Sequence, residues 1–308
     1  MTHAVALPLP AFAPLLRGLL DHGLLISTGA PGLWGKGDVF ERVVAGIERA
    51  IDAETESDGA TRVRYPPVVR RTDFDRSEFL KSFPQLAGAI HAFDGDAKQH
   101  AALLERIESG GDWSDLTAKT EFVLAPAACY PVYPSLSGEL PGGGRLFDVS
   151  AYCFRHEPTL DPTRMVSFRM REHVRVGSND EVCDFRARWV VRAEALARGF
   201  GLAFSTDPAN DPFFGRAGRW LAVSQLAQGL KLELRVPVVS EESPTAVMSF
   251  NYHQDHFGHA FDIRTADGKP AHSACVGFGL ERIALALFAS HGFDPELWSP
   301  EVRTRVFG

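Results

Sequence analysis

Residues 147–177, FDVSAYCFRHEPTLDPTRMVSFRMREHVRVG, constrain the fold more than any other stretch. Val, Tyr and Phe occur at strand-like density in 147–157 and again in 165–176, where β-branched and aromatic side chains suit a pleated, half-buried surface. Between them, 157–164 carries Pro158, Asp161 and Pro162, which fit a connecting loop and not a ladder. Strand side chains alternate between faces. On the first strand Arg155 and Glu157 share a face. On the second, Val166, Phe168, Met170, Glu172, Val174 and Val176 share one face, and Ser167, Arg169, Arg171, His173 and Arg175 the other. Glu172 is then a lone carboxylate on an apolar face, costly to bury without a positive partner. Either the strand lies at a sheet edge, where Glu172 reaches water, or something cationic meets it.

The 308 residues carry 32 Lys+Arg against 39 Asp+Glu, a net charge of −7. Nucleic-acid binders usually show a basic surplus, although a local patch can sit inside an acidic total. The opening MTHAVALPLPAFAP has no basic n-region and is broken by prolines, so no secretion signal is expected. No apolar run approaches the ~20 residues of a membrane span. Cys129, Cys153, Cys183 and Cys275 show no CxxC spacing. Nothing demands disulfides, and a cytoplasmic location is expected.

Residues 11–25 read as a short helix and a strand, and the glycine-rich 29–37 as a connection that lacks the phosphate-loop pattern. Asp38 and Glu41 have capping-box spacing, and Phe40, Val43, Val44, Ile47 and Ile51 form one helical stripe. Residues 62–69 (RVRYPPVV) read as a strand, 72–110 as surface helices and loops, and 122–134 as an apolar run. Ser178 and Glu181 form a second capping box ahead of a helix whose stripe is Val182, Phe185, Trp189, Ala193 and Leu196. Residues 205–218 read as a Pro/Gly/Asp loop. Residues 230–238 alternate as a strand with Lys231, Glu233 and Arg235 on one side, and 246–263 suggest a strand pair or a strand with a turn. His253, Asp255, His256 and His259 there are metal-capable and stay unassigned. In 272–292 a strand-like ACVGFG meets a helix beginning near Leu280 and stopped by Gly292.

The FRHEP run, its loop and the Arg-rich second strand resemble motif 2 of the class II aminoacyl-tRNA synthetases, F-R-x-E. The helix and proline-bearing strand over 38–69 are similar to motif 1, and GFGLER within 272–292 resembles motif 3, G-x-G-x-E-R. F-R-x-E is short by itself; three motifs in order over nearly the whole chain make it specific. The resemblance implies an α+β class II core, an antiparallel sheet flanked by helices, as a single catalytic domain over 1–308, assembled as a homodimer.

Within that class the chain resembles the zinc-dependent seryl-tRNA synthetases and their truncated relatives, the amino acid:[carrier protein] ligases. Lack of a heptad hairpin or basic N-terminal domain, and the acidic total, favour the latter and make tRNA an unexpected partner. The resemblance implies zinc held by Cys129 on the pre-motif strand, Glu172 in motif 2 and Cys275 at the start of motif 3. It implies ATP held by Arg155 at the α-phosphate, Arg282 at the γ-phosphate, Glu157 and Phe168 at the adenine and Arg164 near the triphosphate, with Mg²⁺ sharing the charge. Lys231 and Ser249 are further ATP-site candidates. The implied activity is activation of glycine or alanine as aminoacyl-adenylate and transfer to the phosphopantetheine thiol of a holo-carrier protein. The charged side chains of 169–175, or the 205–218 loop, are candidate docking surfaces. A tRNA-charging enzyme and an inactive paralogue acting as a binding module are the alternatives; retention of Arg155 and Arg282 weighs against the second.

Overall fold

The computed structural model describes residues 10–308; the secretion-signal expectation concerns mainly residues 1–9, which lie outside the described residues. A helix, Ala13–Asp21, leads into a hairpin of Leu25–Ser27 and Trp34–Lys36, so the 29–37 connection ends in a strand. Helix α1 (Asp38–Thr55) buries Phe40, Val43, Val44, Ile47 and Ile51, as their helical period requires. The expected Asp38–Glu41 capping box does not form. Gly37 is the N-cap and Asp38 the first helical residue, while Glu41 makes two bonds to Arg169, at 2.6 and 2.9 Å. A bidentate charge-assisted pair is stronger than a neutral cap.

Residues 62–69 form two strands, not one. Strand β1 (Thr61–Arg64) and Val68–Arg70 lie in different sheets, because Pro66 and Pro67 bring no N–H to a ladder. Val68–Arg70, Ala118–Leu124 and Ala89–Ala92 make a three-stranded sheet, so 72–110 contributes a strand as well as helices. The chain continues through β2 (Arg145–Phe154), β3 (Ser167–Gly177), α2 (Asn179–Gly199), β4 (Ser205–Pro208), α3 (Gly215–Ala227), β5 (Lys231–Val236), β6 (Thr245–Gln254), β7 (His272–Gly279) and α4 (Leu280–His291). Residues 205–218 are therefore an edge strand and the start of a helix, joined by a short loop. Residues 246–263 give β6, a short helix His256–Phe261 and the start of Ile263–Arg264.

The main sheet has the order β4-β5-β6-β7-β3-β2-β1. Every pair is antiparallel except β1–β2. Strand β3 is interior, so the edge-strand alternative for Glu172 fails, and the residue is 2% exposed. One face of the sheet, with Leu234, Met248, Phe250, Ala274, Val276 and Phe278, packs on α1, α2 and α4. Each large apolar side chain buried there contributes about 1.5–3 kcal/mol. The stripe of α2 is buried as expected, and its Ser178–Glu181 capping box is complete. The opposite face carries the polar chemistry. Register places Glu172, Gly277, Ser249 and Glu233 in one row across four strands, and Val174, Cys275, Asn251 and Lys231 in the next.

Candidate active site

A cavity of about 450 Å³ opens over these two rows. Its wall includes Arg155, Glu157, Phe168, Lys231, Ser249 and Arg282, and also Cys129, Glu172 and Cys275. Arg164 is outside the wall; more than half exposed, it pairs with Glu157 at 3.2 Å on the rim.

At one end stand the arginines. Arg155 and Glu157 lie past the end of β2, so strand alternation does not set their direction. Arg155 instead donates Nε to the Pro126 carbonyl at 3.3 Å and lies over the Phe168 ring, 5.5 Å from its centroid. Arg282, in the first turn of α4, donates Nε to Thr163 O at 2.8 Å and Nη1 to Ala246 O at 3.0 Å. Burial, then the neighbouring Arg155, pull its pKa down to about 10, leaving it cationic at neutral pH. Beside it, Glu281 is 2% exposed and accepts both the backbone N–H and Nε of Arg169 at 2.8 Å.

The charged side chains of 169–175 do not form the solvated docking surface expected of them. Arg171 and His173 are 1% and 0% exposed. Asp148 and Asp52 hold Arg171, and His173 packs between Trp189 and Phe278. This face of β3 lies under helices α1 and α2, so its charges are matched internally. Lys231 is also matched, by Asp211 at 2.5 Å and Glu233 at 3.0 Å. Burial alone would lower the Lys231 pKa, and the two carboxylates more than offset that.

At the other end Cys129, Glu172 and Cys275 are buried with their ligand atoms within 4.8 Å of one another. Cys129 sits in a turn after Ala118–Leu124 and not on the strand itself, because Pro126 and Pro131 deny that segment a ladder. The turn is fastened to the carboxylate: the Ala128 N–H donates to Glu172 Oε1 at 2.7 Å. The hydrogen bond to Cys275, then burial and the Glu172 charge, push the Cys129 thiol well above its ordinary range. Three acidic groups without a cation oppose one another, and a divalent ion reverses that. Two sulfurs, one carboxylate and an open fourth position fit zinc. His253 was not assigned from the sequence, yet its Nε2 is 3.7 Å from Cys275 Sγ. Its pKa is driven down to about 3 by burial. Its metal-capable side chain was the available signal, and the ladder irregularity between Tyr252 and Gln254 hid which group it meets. Glu233, opposite Ser249, was likewise seen only as one side of a strand.

Helix α3 adjoins the cavity, whose wall includes its Gln225 and, from the loop before it, Phe213. Its outer surface exposes Trp220, Leu221, Val223 and Leu226, and its one buried residue is Gly218.

The sheet order, the arginines and the three-group cluster define a class II aminoacyl-tRNA synthetase fold. M. kandleri SerRS, solved in complex with A. aeolicus tRNASec, superposes with a TM-score of 0.81 at 20% identity, over 95% of this chain and 60% of that one. No protein-family model matches the chain. Amino acid--[acyl-carrier-protein] ligase 1 of Bradyrhizobium diazoefficiens is 46% identical over 299 residues, 96% of this chain and 91% of the relative. Ligase 2 of the same organism is 48% identical over 293 residues, 92% and 86% respectively. The chain belongs to the amino acid--[acyl-carrier-protein] ligase family.

Proposed function

We propose that the protein activates glycine or alanine with ATP and passes the aminoacyl group to the phosphopantetheine thiol of a holo-carrier protein. The observation that carries this reading is one cavity with an anion-binding end, Arg155 and Arg282, and a metal-competent end, Cys129, Glu172 and Cys275. The names of the two Bradyrhizobium relatives supply the acceptor class.

An amino-acid carboxylate oxygen attacks the α-phosphorus of ATP, the bond to the departing pyrophosphate breaks, and aminoacyl-adenylate forms. Charge grows on phosphate oxygens during this step, so fixed cations aimed at them favour the transition state. Arg155 meets the α-phosphate. Arg282 meets the γ-phosphate through Nη2, since Nε and Nη1 are committed to backbone carbonyls. Phe168 stacks on the adenine with Glu157 at its edge, Arg164 reaches the triphosphate from the rim, and Ser249 lines the same wall. Lys231, matched by two carboxylates, orders Asp211 and Glu233 around the nucleotide. Cys129, Glu172 and Cys275 would hold zinc, which would supply a Lewis-acidic position for the substrate amine, and Mg²⁺ would share the triphosphate charge. The carrier thiol then attacks the adenylate carbonyl; a thioester forms, AMP leaves and the thiol proton passes to solvent.

We assign carrier docking to the outer face of α3, supported by its exposed apolar side chains on a helix whose Gln225 lines the cavity. A homodimeric, cytoplasmic enzyme completes the reading. Among the described residues no helix is long and apolar enough to cross a membrane. The acidic total supports a carrier protein over polyanionic tRNA. Incubation with ATP, radiolabelled glycine or alanine, and holo- or apo-carrier tests the proposal. A hydroxylamine-sensitive adduct on the holo-carrier alone is expected. Efficient aminoacylation of tRNA with no carrier loading overturns the proposal in favour of a synthetase, and absence of ATP–pyrophosphate exchange with any amino acid favours a binding module.

A further inference from the structure

We propose that Asn251 and His253 are positioning residues that aim two N–H donors at the Cys275 sulfur, an inference that rests on reading Cys129, Glu172 and Cys275 as a zinc site. Asn251 lies directly opposite Cys275 across the β6–β7 pair, and its Nδ2 reaches Sγ at 3.3 Å and Ser249 Oγ at 3.2 Å. His253 arrives by a different route. The ladder register shifts between Tyr252 and Gln254, leaving His253 without a cross-strand partner, and such an irregularity re-aims a side chain. Its Nε2 then lies 3.7 Å from Cys275 Sγ.

A metal-bound thiolate can only accept, which favours the ring proton on Nε2, the nitrogen that faces sulfur. Nδ1 faces the Ser273 hydroxyl at 3.0 Å and, at a longer 3.5 Å, the Tyr133 hydroxyl. In that tautomer Nδ1 accepts from the Ser273 hydroxyl and the Nε2 proton points at sulfur. The ring cannot swing freely: Phe257 meets it edge-on at 5.1 Å and stacks on Tyr133 at 3.9 Å. His253 stays outside the three-group cluster, so it acts through Cys275.

Donors of this kind orient a thiolate and stabilise its charge, which favours the deprotonated sulfur that a metal needs. The carboxylate has its own donor, the Ala128 N–H. Strand register and a ladder irregularity thus build a shell around the ligand atoms, and the fourth position is left to the substrate.

The test uses full-length protein with the variants Asn251→Ala, Asn251→Asp, His253→Ala and His253→Gln. Zinc affinity is read by chelator competition, and the sulfur-to-metal charge-transfer band by cobalt substitution; thermal unfolding of each metal-loaded variant reports folding. Loss of a donor should weaken zinc binding about 10- to 100-fold and shift the cobalt band. Asn251→Asp should be worse than Asn251→Ala, since it sets a carboxylate against a thiolate, and His253→Gln should retain much of the affinity through its amide N–H. Equal effects of the Asp and Ala substitutions, or folded variants with wild-type affinity and an unshifted band, overturn the inference while the zinc reading stands. Wild-type protein that binds no zinc overturns both.

Discussion

Glu172 joins strand pairing to chemistry at a single residue. Its place on an interior strand buries it, and its row in the sheet sets it against Cys275 and the Cys129 turn. Replacing any one of Cys129, Glu172 or Cys275 by alanine should drop zinc content below about one ion per chain and abolish amino-acid activation. Metal analysis and ATP–pyrophosphate exchange measure the two effects, and full activity of a metal-free preparation would overturn the assignment. At the proposed nucleotide end the corresponding residue is Arg282. Arg282→Ala should cost roughly 10²-fold or more in exchange rate, the loss of one charge donor in the transition state, with zinc content unchanged. Arg282→Lys should recover only part, because an ammonium cannot both brace two carbonyls and present the remaining edge of a fork. Near wild-type exchange by Arg282→Ala would reject the role.

At the scale of elements, α2 and α3 differ in what holds them. The capping box of α2 has Ser178 accepting from the Glu181 N–H and Glu181 accepting from the Ser178 N–H. Ser178→Ala should therefore lower stability by about 1 kcal/mol, read from the urea midpoint; an unchanged midpoint would show that tertiary packing alone sets the helix start. Helix α3 buries almost nothing, with Trp220 75% and Val223 61% exposed. Val223→Asp and Trp220→Ala should thus leave adenylate formation intact and slow carrier loading, seen as a raised KM for the holo-carrier. Unchanged carrier kinetics in both variants would remove docking from this face.

For the whole molecule, buried ion pairs set the acid limit. Burial alone would raise the Asp148 pKa; hydrogen bonds and charge from Arg171 more than offset it, and the carboxyl is held below its ordinary range. Asp211 and Glu233 are depressed in the same way by Lys231. Because these folded-state values lie below the unfolded ones, their contribution to stability is complete above the ordinary carboxylate range, about pH 4–5, and is lost as pH falls through the lower folded values. The urea midpoint should begin to fall below about pH 6.5, where His173 and His253, held down to about 4 and about 3 by burial, stay neutral in the folded chain while the unfolded chain takes up protons. It should fall more steeply below about pH 4, where rising stability would contradict the pairing. Asp148→Asn, which strips Arg171 of its main buried partner, should destabilise by about 3 kcal/mol or more at neutral pH. Sedimentation should give a mass near twice the 33.7 kDa of the chain; a monomer at working concentration would remove the dimer from the proposal.

The sequence by itself determined what depends on local period and local chemistry. The stripes of α1 and α2, the strands either side of the 157–164 loop, and the alternation that set Glu172 apart are all written in nearest-neighbour spacing. The resemblance of FRHE and GFGLER to synthetase motifs named the arginines and the three metal-competent groups. Tertiary structure decided the rest, because sheet order and register relate residues far apart in the chain. Only the pairing of β3 with β7 faces Glu172 toward Cys275, and only helix packing turns the Arg171 and His173 side chains into interior groups. The Asp38–Glu41 box had the right spacing and lost Glu41 to Arg169, a competitor 128 residues away. His253 was legible as a metal-capable residue but not as a neighbour of Cys275, since its aim is fixed by an irregularity between two strands that spacing along one strand does not encode.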